Sequence, residues 1–502
     1  MQRDKLLYEL NNKASWDLVV IGGGATGLGI ALDASTRGLK TLLVEKRDFS
    51  SGTSSRSTKL IHGGVRYLKQ LRFSLIVESL RERKILLRNS SNVTHIIPFI
   101  IPVYSFYEKL LYSFGLHLYA LFGFNSTVGN TKVLSKKETL EKLPFVNERN
   151  LCGGVLYYDA QFNDSQLCVD LAQTAIDNGA TVLNYCEVTD LVKSNNLVCG
   201  VVFRDTISNT NYNVSCGFVV NATGVFTEDI LKKDVEAYSK IVVASQGIHL
   251  VLDSVYGSKK FAMTVPSVDG RVVFLIPWLG KLLLGTTDTK MEEAKEDPVP
   301  LKSEIDFLID SYNRFSSKKI TTNEVSAVFA GLRPLFNSSS SSTAVMSREH
   351  SIIVGKSGLI TIIGGKWTTY RKMAESTVDL IYRRGRLNKR KCVTKNLLLY
   401  TYKDKNKSTQ ELITANPSLA EIINTEYGIT KADIVYAILF EMAQTVEDVL
   451  ARRTRLLFLD VRASVLVSPI VADLLAVYLK KDAAWVEAQL LAYKNLAEKY
   501  YA

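Results

Sequence analysis

The chain has 502 residues, 46% hydrophobic and 22% charged, the composition of a folded globular protein with room for two or three domains. Six scattered cysteines without a CxxC pair and only five histidines exclude a disulfide framework and a Cys- or His-rich metal site, so no metal is expected and the thiols read as reduced, as in a cytoplasmic protein. The net charge of +12 fits an anionic membrane or a phosphorylated substrate better than nucleic acid, because no basic run carries interleaved aromatics.

Residues 1–16 mix both charges without an apolar segment, so no signal peptide is expected. No uninterrupted apolar stretch reaches about 20 residues, so no membrane-spanning helix is expected. The run Leu18 to Ile21 has strand length and meets Gly22, Gly24 and Gly27; a small-residue helix follows from Ala25 to Arg37, then a strand Thr41–Val44 ending in Glu45. This is a βαβ unit with a dinucleotide at its crossover. Gly22 allows the tight turn, Gly24 lets the pyrophosphate approach the backbone, and Gly27 lets helix and strand pack closely, with Ala25 and Thr26 at the helix start. Phosphates then meet amide groups at the positive end of the helix. Glu45 suits ribose hydroxyls and repels a 2′-phosphate, which favours FAD or NAD over NADP.

A helix is predicted over 74–91. The segment 96–124 carries few charges and many aromatics, among them Tyr112, Phe114, Tyr119, Phe122 and Phe124. It reads equally as buried packing or as a surface that dips into a membrane interface. A helix over 165–178 is followed by Gly179 and a strand at 181–185. Alternation near 198–204 and 212–221 predicts a hairpin across Ser208–Asn211. A β-rich stretch runs from Ile241 to Asp288, with a hairpin of 271–277 and 281–287 turning at Leu279-Gly280. Ser338 to Ser342 reads as a loop, 359–363 as a strand entering Gly364-Gly365, and 368–383 as a helix. Residues 383–395 form a basic linker, a solvated face or a contact for anionic lipid. From about 408 the chain is helical, with a capping box at Thr430 and Asp433 and a last helix capped by Asp482.

The strand end Asn221-Ala222-Thr223-Gly224 is a second signature, common where FAD is held by a single Rossmann domain and unnecessary for NAD. A third, Gly364-Gly365-Lys366-Trp367-Thr368, offers amide donors at a helix start, suited to a flavin oxygen or the ribityl chain. Ser50 to Leu68, including Ser57-Thr58-Lys59-Leu60-Ile61-His62-Gly63-Gly64-Val65-Arg66-Tyr67-Leu68, narrows the choice further. With Gly331-Leu332-Arg333-Pro334, Ser347-Arg348-Glu349-His350 and the tail Glu447 to Arg455, it resembles the FAD-dependent glycerol-3-phosphate dehydrogenases, of the broader D-amino-acid-oxidase-like flavoprotein superfamily. The resemblance runs from about residue 14 to 500.

The fold class implied is α/β (α+β overall): a Rossmann-type FAD-binding domain over 1–395, interleaved with a β-sheet cap mainly at about 90–160 and 240–345, and a C-terminal α-helical domain over 396–502. The substrate implied is sn-glycerol 3-phosphate, oxidised to dihydroxyacetone phosphate. The C2 hydroxyl proton goes to a base and the C2 hydride to flavin N5. Arg333 and Arg348, placed in short loops after strands, are the implied phosphate binders. His249, in Gln246-Gly247-Ile248-His249, is the leading base because an imidazole titrates near neutrality, with Lys366 as the alternative. Arg66 and Tyr67 complete the pocket. Lys46, Ser54, Ser55, Thr58, Lys59, Leu60, His62 and Val188, with Ala222, Gly224, Gly364, Gly365 and Thr368, are placed on non-covalent FAD. The resemblance implies that electrons go to a membrane quinone from a homodimer held peripherally at the inner face of the cytoplasmic membrane, or to O₂ if the chain is a glycerol-3-phosphate oxidase.

Overall fold

A computed structural model describes the chain except residues 12–14, 65–72, 123–127, 236–237, 239, 267–270, 337–349, 389 and 401. Arg66, Tyr67, Arg348 and the serine-rich loop 338–342 therefore lie outside the described residues.

The first sheet is built around the strand Trp16–Ile21. It pairs in parallel with Thr41–Val44 on one side and with Thr210–Asn221 on the other. Thr181–Leu183 and Ile360–Gly364 extend the sheet outward on either side, again in parallel. Helices cover such a sheet, so its strands read as unbroken apolar runs rather than alternating ones. The helix Ala25–Thr36 lies in this layer, between the helices Asp164–Asp177 and Tyr370–Arg384. Its small residues are needed there: a Cβ on Gly29 would stand 2.8 Å from the Tyr370 ring. The predicted hairpin forms from Leu197–Asp205 and Thr210–Asn221, and a third antiparallel strand, Cys186–Ser194, joins it unannounced by the sequence.

Among the described residues the second sheet has ten strands. Its long pair is Val242–Asp253 against Val325–Phe336, in the register Ser245 to Arg333, Gly247 to Gly331 and His249 to Phe329. The hairpin Val272–Trp278 with Lys281–Gly285 turns at Leu279 and Gly280, both at positive φ (46° and 85°). Those angles are what a two-residue loop needs to match the strand twist. Thr94–Val103 and Gly153–Phe162 continue the sheet toward Leu60–Ile61, which follows the first nucleotide-binding unit directly. The helix Lys302–Phe315 seals one hydrophobic layer through Ile305, Leu308, Tyr312 and Phe315. On the other, Val251, Ile276, Leu283 and Phe329 pack into the helical C-terminal region through Leu457, Phe458 and Tyr500.

That region contains the helices Tyr402–Ala415, Lys431–Phe440, Val461–Leu479 and Ala483–Ala497. The capping box is present, with Thr430 and Asp433 exchanging side-chain and backbone bonds, and Asp482 accepts from the Trp485 amide at 2.9 Å. Val461–Leu479, with mean hydropathy 1.7, is long and apolar enough to cross a membrane, which the sequence reading did not anticipate. Arg462 and Asp473 interrupt its run, and Val467, Val471 and Leu475 are buried against neighbouring helices. Buried ion pairs clamp the region to the first sheet: Asp48 accepts from Arg453 at 2.8 and 2.9 Å and from Arg452 at 2.6 Å.

Candidate functional site

The strand Trp16–Ile21 delivers the chain to Gly22, whose φ of +112° is open to glycine and strained for any other residue. A Cβ on Gly22 would stand 2.8 Å from the Ala222 carbonyl, so the two strand ends 22–24 and 222–224 press together. A Cβ on Gly27 would stand 1.9 Å from the Gly22 carbonyl. The glycine spacing thus does the packing that the sequence assigns to it. We expect Gly27→Ala to lower FAD affinity about 10- to 100-fold, read by fluorescence titration of apoprotein. Undiminished affinity would remove the packing argument.

The N-cap residue of the helix that starts at Ala25 is Gly24, which has no side chain to cap it, and the Ala25 amide donates to Ser54 Oγ at 3.0 Å. Glu45 closes the other wall. Its carboxylate accepts from the Gly23 amide at 2.6 Å and the Arg47 amide at 2.9 Å, and burial pushes it above its ordinary range against those two bonds.

Three adjoining cavities run from this point as one trough. The first, 490 Å³, is lined by Gly22, Glu45, Lys46 and Val188. The second, 180 Å³, shares Gly22, Glu45 and Thr223 with the first and adds Gly24, Ala25, Thr26, Ser54, Ala222, Gly224, Gly364 and Gly365. The third, also 180 Å³, shares Gly365, Lys366 and Trp367 with the second and ends among Arg56, Thr58, Leu60, His62, His249, Arg333 and Thr368. Loops separated by more than 300 residues thus form one elongated slot. Its acid-bearing end, helix amides and cationic end match in order the ribose, pyrophosphate and flavin ends of FAD.

A larger cavity of 660 Å³ opens beside Thr94–Val103 and the Leu279-Gly280 turn. Its inner cations are already matched: Lys281 with Asp253 and Glu426, Lys405 with Glu441, and Arg453 with Asp48. The motifs converge on the trough instead.

Three expectations are corrected at the cationic end. Arg333 is not in a loop but inside the strand Val325–Phe336, opposite Ser245. An edge strand tolerates the following Pro334, so the break that proline suggests does not occur. Its guanidinium is oriented by the carbonyls of Gln246 and Thr287 at 3.3 and 3.1 Å and by Thr286 Oγ1 at 2.9 Å. Asp288 Oδ1 stands 3.9 Å from the same guanidinium, so the fork is held by backbone and hydroxyl oxygens and a longer ion pair. His249 does not titrate near neutrality: burial, then Lys59 and Arg333, push it well below its ordinary 6.5. It is a neutral imidazole, bonded through Nε2 to Thr58 Oγ1 at 3.0 Å, while the buried Nδ1 has no protein partner. The third correction concerns the segment 55–59. The Ser55 carbonyl and the Lys59 ammonium are tied to each other at 2.6 Å, outside the lining of the trough, and Lys59 also donates to Asp164 at 2.7 Å.

Lys366 Nζ lies 3.2 Å from Ser79 Oγ, on the cavity wall facing Arg333 and His249. Lys46 pairs with Glu296 at 2.5 Å at the rim of the first cavity. Sequence reasoning gave no role to Thr53, Arg56 or Trp367, though all three stand in the quoted motifs. Thr53 donates to the Leu332 carbonyl at 2.6 Å, Arg56 pairs with Asp297 at 2.9 Å, and Trp367 Nε1 donates to the Ser54 carbonyl at 2.9 Å. Together they sew the glycine loop, the second sheet and the Gly364-Gly365 turn around the slot.

Comparison with known proteins agrees. Residues 17–371 match the FAD dependent oxidoreductase family, and 360–486 match the C-terminal domain of alpha-glycerophosphate oxidase. A probable mitochondrial glycerol-3-phosphate dehydrogenase of Dictyostelium discoideum is 37% identical over 92% of this chain and 81% of its own length. The crystal structure of the Bacillus halodurans glycerol-3-phosphate dehydrogenase complexed with FAD superposes with a TM-score of 0.80 at 29% identity, over 100% of this chain and 98% of that one. L-alpha-glycerophosphate oxidase from Mycoplasma pneumoniae, with FAD bound, shares the fold at a TM-score of 0.57 and 19% identity, over 77% of this chain and 100% of that one. A slot for FAD, the family match along most of the chain and these relatives together place it: the chain is an FAD-dependent oxidoreductase and belongs to the glycerol-3-phosphate dehydrogenase family.

Proposed function

We propose that this chain oxidises sn-glycerol 3-phosphate to dihydroxyacetone phosphate and passes the electrons to a membrane quinone. The observation that carries the reading is a buried His249 that lines the same end cavity as Arg333 and Lys366. Bound FAD supplies the acceptor for the C2 hydride. The chain supplies the rest. Arg333 presents a fixed fork to the phosphate, where a planar guanidinium binds two oxygens at once. His249 takes the C2 hydroxyl proton, for which it must be unprotonated before the reaction starts. Lys366 stabilises the negative charge that develops on that oxygen. Arg66, Tyr67 and Arg348 are assigned to the same pocket on the family resemblance alone.

A surface feature supports the membrane part. The helix Phe106–Phe122 exposes Phe106 (79%), Tyr107, Leu110 and Phe114 (69%) on one side, with Phe73 and Val77 of the neighbouring helix Phe73–Asn89 also exposed. Aromatic and aliphatic side chains of this kind suit the headgroup boundary, and the net charge of +12 suits anionic lipid. A second reading, O₂ as acceptor, draws on the match of 360–486 to an oxidase domain.

The test is anaerobic reduction. Adding sn-glycerol 3-phosphate is expected to bleach the flavin band, and a soluble quinone analogue to restore it much faster than O₂. Fast reoxidation by O₂ with peroxide release would select the oxidase reading; absence of bleaching would discard the substrate. In the same assay Arg333→Ala is expected to raise the substrate KM about 10- to 100-fold with FAD retained, the size of a lost charge-assisted pair. An unchanged KM would sink the phosphate assignment.

A further inference from the structure

Behind the pocket wall lies a buried ion cluster that the reaction above does not use. Lys59 is fully buried, and Asp164 Oδ2 accepts from Lys59 Nζ at 2.7 Å and from Ser57 Oγ at 2.7 Å. Its Oδ1 lies 3.3 Å from Arg455, which reaches in from the C-terminal helical region. The Ser55 carbonyl accepts from both cations, at 2.6 Å from Lys59 and 2.7 Å from Arg455. Two of the residues sit at positive φ, Lys59 at 62° and Arg455 at 67°. A non-glycine residue holds such a conformation only where its surroundings enforce it.

The cluster borders the base directly. Thr58, next to the constrained Lys59, places its Oγ1 3.0 Å from His249 Nε2. The imidazole stacks on Phe329 at 4.9 Å between ring centres, and Lys59 Nζ lies 5.0 Å from the same ring. Phe458 packs edge-on against Phe329 at 4.9 Å and carries the Arg455 guanidinium at 4.3 Å. A continuous wall therefore runs from the helical region through two phenylalanines to the imidazole.

We propose that Lys59, Asp164 and Arg455 form a positioning device for His249: they lock residues 55–59 so that Thr58 Oγ1 accepts from His249 Nε2–H and the Nδ1 lone pair is kept for the substrate proton, and they lodge a cation behind the ring. This rests on the reading of His249 as the base. The charged groups facing His249 are Lys59 from the 55–59 segment and Arg333 from the strand Val325–Phe336; Arg56, His62 and Lys366 line the same pocket. A second cation close to a buried imidazole disfavours protonation. Burial lowers Lys59 itself to about 7 against the pull of Asp164, so its charge is present in the acid range where the ring would otherwise protonate.

Two experiments on the holoenzyme test this. In ¹³C-histidine NMR, with five histidines and His249→Gln to assign the resonance, Lys59→Met is expected to move the His249 titration upward by about one pH unit. Lys59→Arg is expected to restore the native titration. Thr58→Val is expected to slow flavin reduction about tenfold or more with KM unchanged, and Thr58→Ser to restore it. An unmoved titration in Lys59→Met, or native reduction in Thr58→Val, overturns the proposal, and the second result decides if Lys59→Met does not fold. The NMR measurement needs no substrate. A wild-type enzyme that fails to bleach with sn-glycerol 3-phosphate therefore counts against the functional reading and not against the cluster.

Discussion

Replacing His249 with Gln is expected to slow flavin reduction by sn-glycerol 3-phosphate about 10²- to 10⁴-fold, the usual worth of a positioned general base. FAD is expected to stay bound, because His249 belongs to the end cavity and not to the glycine loop or the helix start. Glutamine keeps a side-chain amide within reach of Thr58 but cannot take the proton. The loss therefore falls on the rate constant and leaves KM near its native value, which Arg333 and its companions set. Stopped-flow absorbance under anaerobic conditions separates the two. Native reduction in His249→Gln would pass the base to Lys366, whose amine lines the same cavity.

Asp48→Ala is expected to have the largest effect on stability, about 3–5 kcal/mol, the cost of leaving buried cations without their partner. Asp48 receives bonds from Arg452, from both terminal nitrogens of Arg453 and from Asn184 Nδ2 at 3.2 Å. Arg452 retains Glu447 and Asp448 after the substitution, whereas Arg453 keeps the Glu441 carbonyl and a carboxylate at 3.7 Å. Burial by itself would raise the Asp48 carboxyl, but Arg453 and Arg452 outweigh it and hold it at about 2. The sign follows. A carboxyl lowered in the folded state contributes stability that is complete above its unfolded value of about 3.9 and is lost as the pH falls from there toward about 2. Urea midpoints are expected to drop sharply for Asp48→Ala at pH 7, and the gap to wild type to narrow as the pH approaches 2. A gap constant across that range would separate the destabilisation from ionisation of Asp48.

The parts of the fold legible in the sequence are those governed by local rules. The first nucleotide-binding unit could be read because three glycines, a buried strand and Glu45 fall within one stretch of thirty residues or so. Leu279-Gly280 betrayed its hairpin, and Thr430 with Asp433 its helix start, for the same reason. What stayed hidden depends on distant partners. The strand Thr94–Val103 carries Pro98 and Pro102, which argue against a strand. It is accommodated because its partner Ala262–Pro266 pairs with it only at Phe99 and Ile100, so most of that edge makes no demand on the prolines. Arg3 is another case: it is buried against Asp205 at 2.6 Å, 202 residues away, and nothing near it in sequence announces that.

In the site, resemblance supplied the residues and local chemistry supplied reasons for some of them. The neutral state of His249 could not be read because it is set by burial and then by Lys59 and Arg333, which enclose the imidazole only in the folded sheet. Ser55 and Lys59 misled because their neighbours Ser54 and Thr58 do line the slot. The resemblance places the whole motif on one ligand, whereas the chain at Lys59 turns through a left-handed conformation and the buried lysine pairs with Asp164 instead.

The order of strands in the first sheet also governs how the protein can be made. Trp16–Ile21 leaves the ribosome early, yet one of its two neighbours is Thr210–Asn221, and the strand beyond that is Ile360–Gly364. The nascent chain must therefore keep an apolar strand with an unsatisfied edge for most of its synthesis, a state prone to mispairing. The slot lacks its last wall until Thr368 has been translated. The cofactor consequently enters late, onto a nearly complete polypeptide, and a chain terminated before that residue has the glycine loop but no enclosure for the flavin.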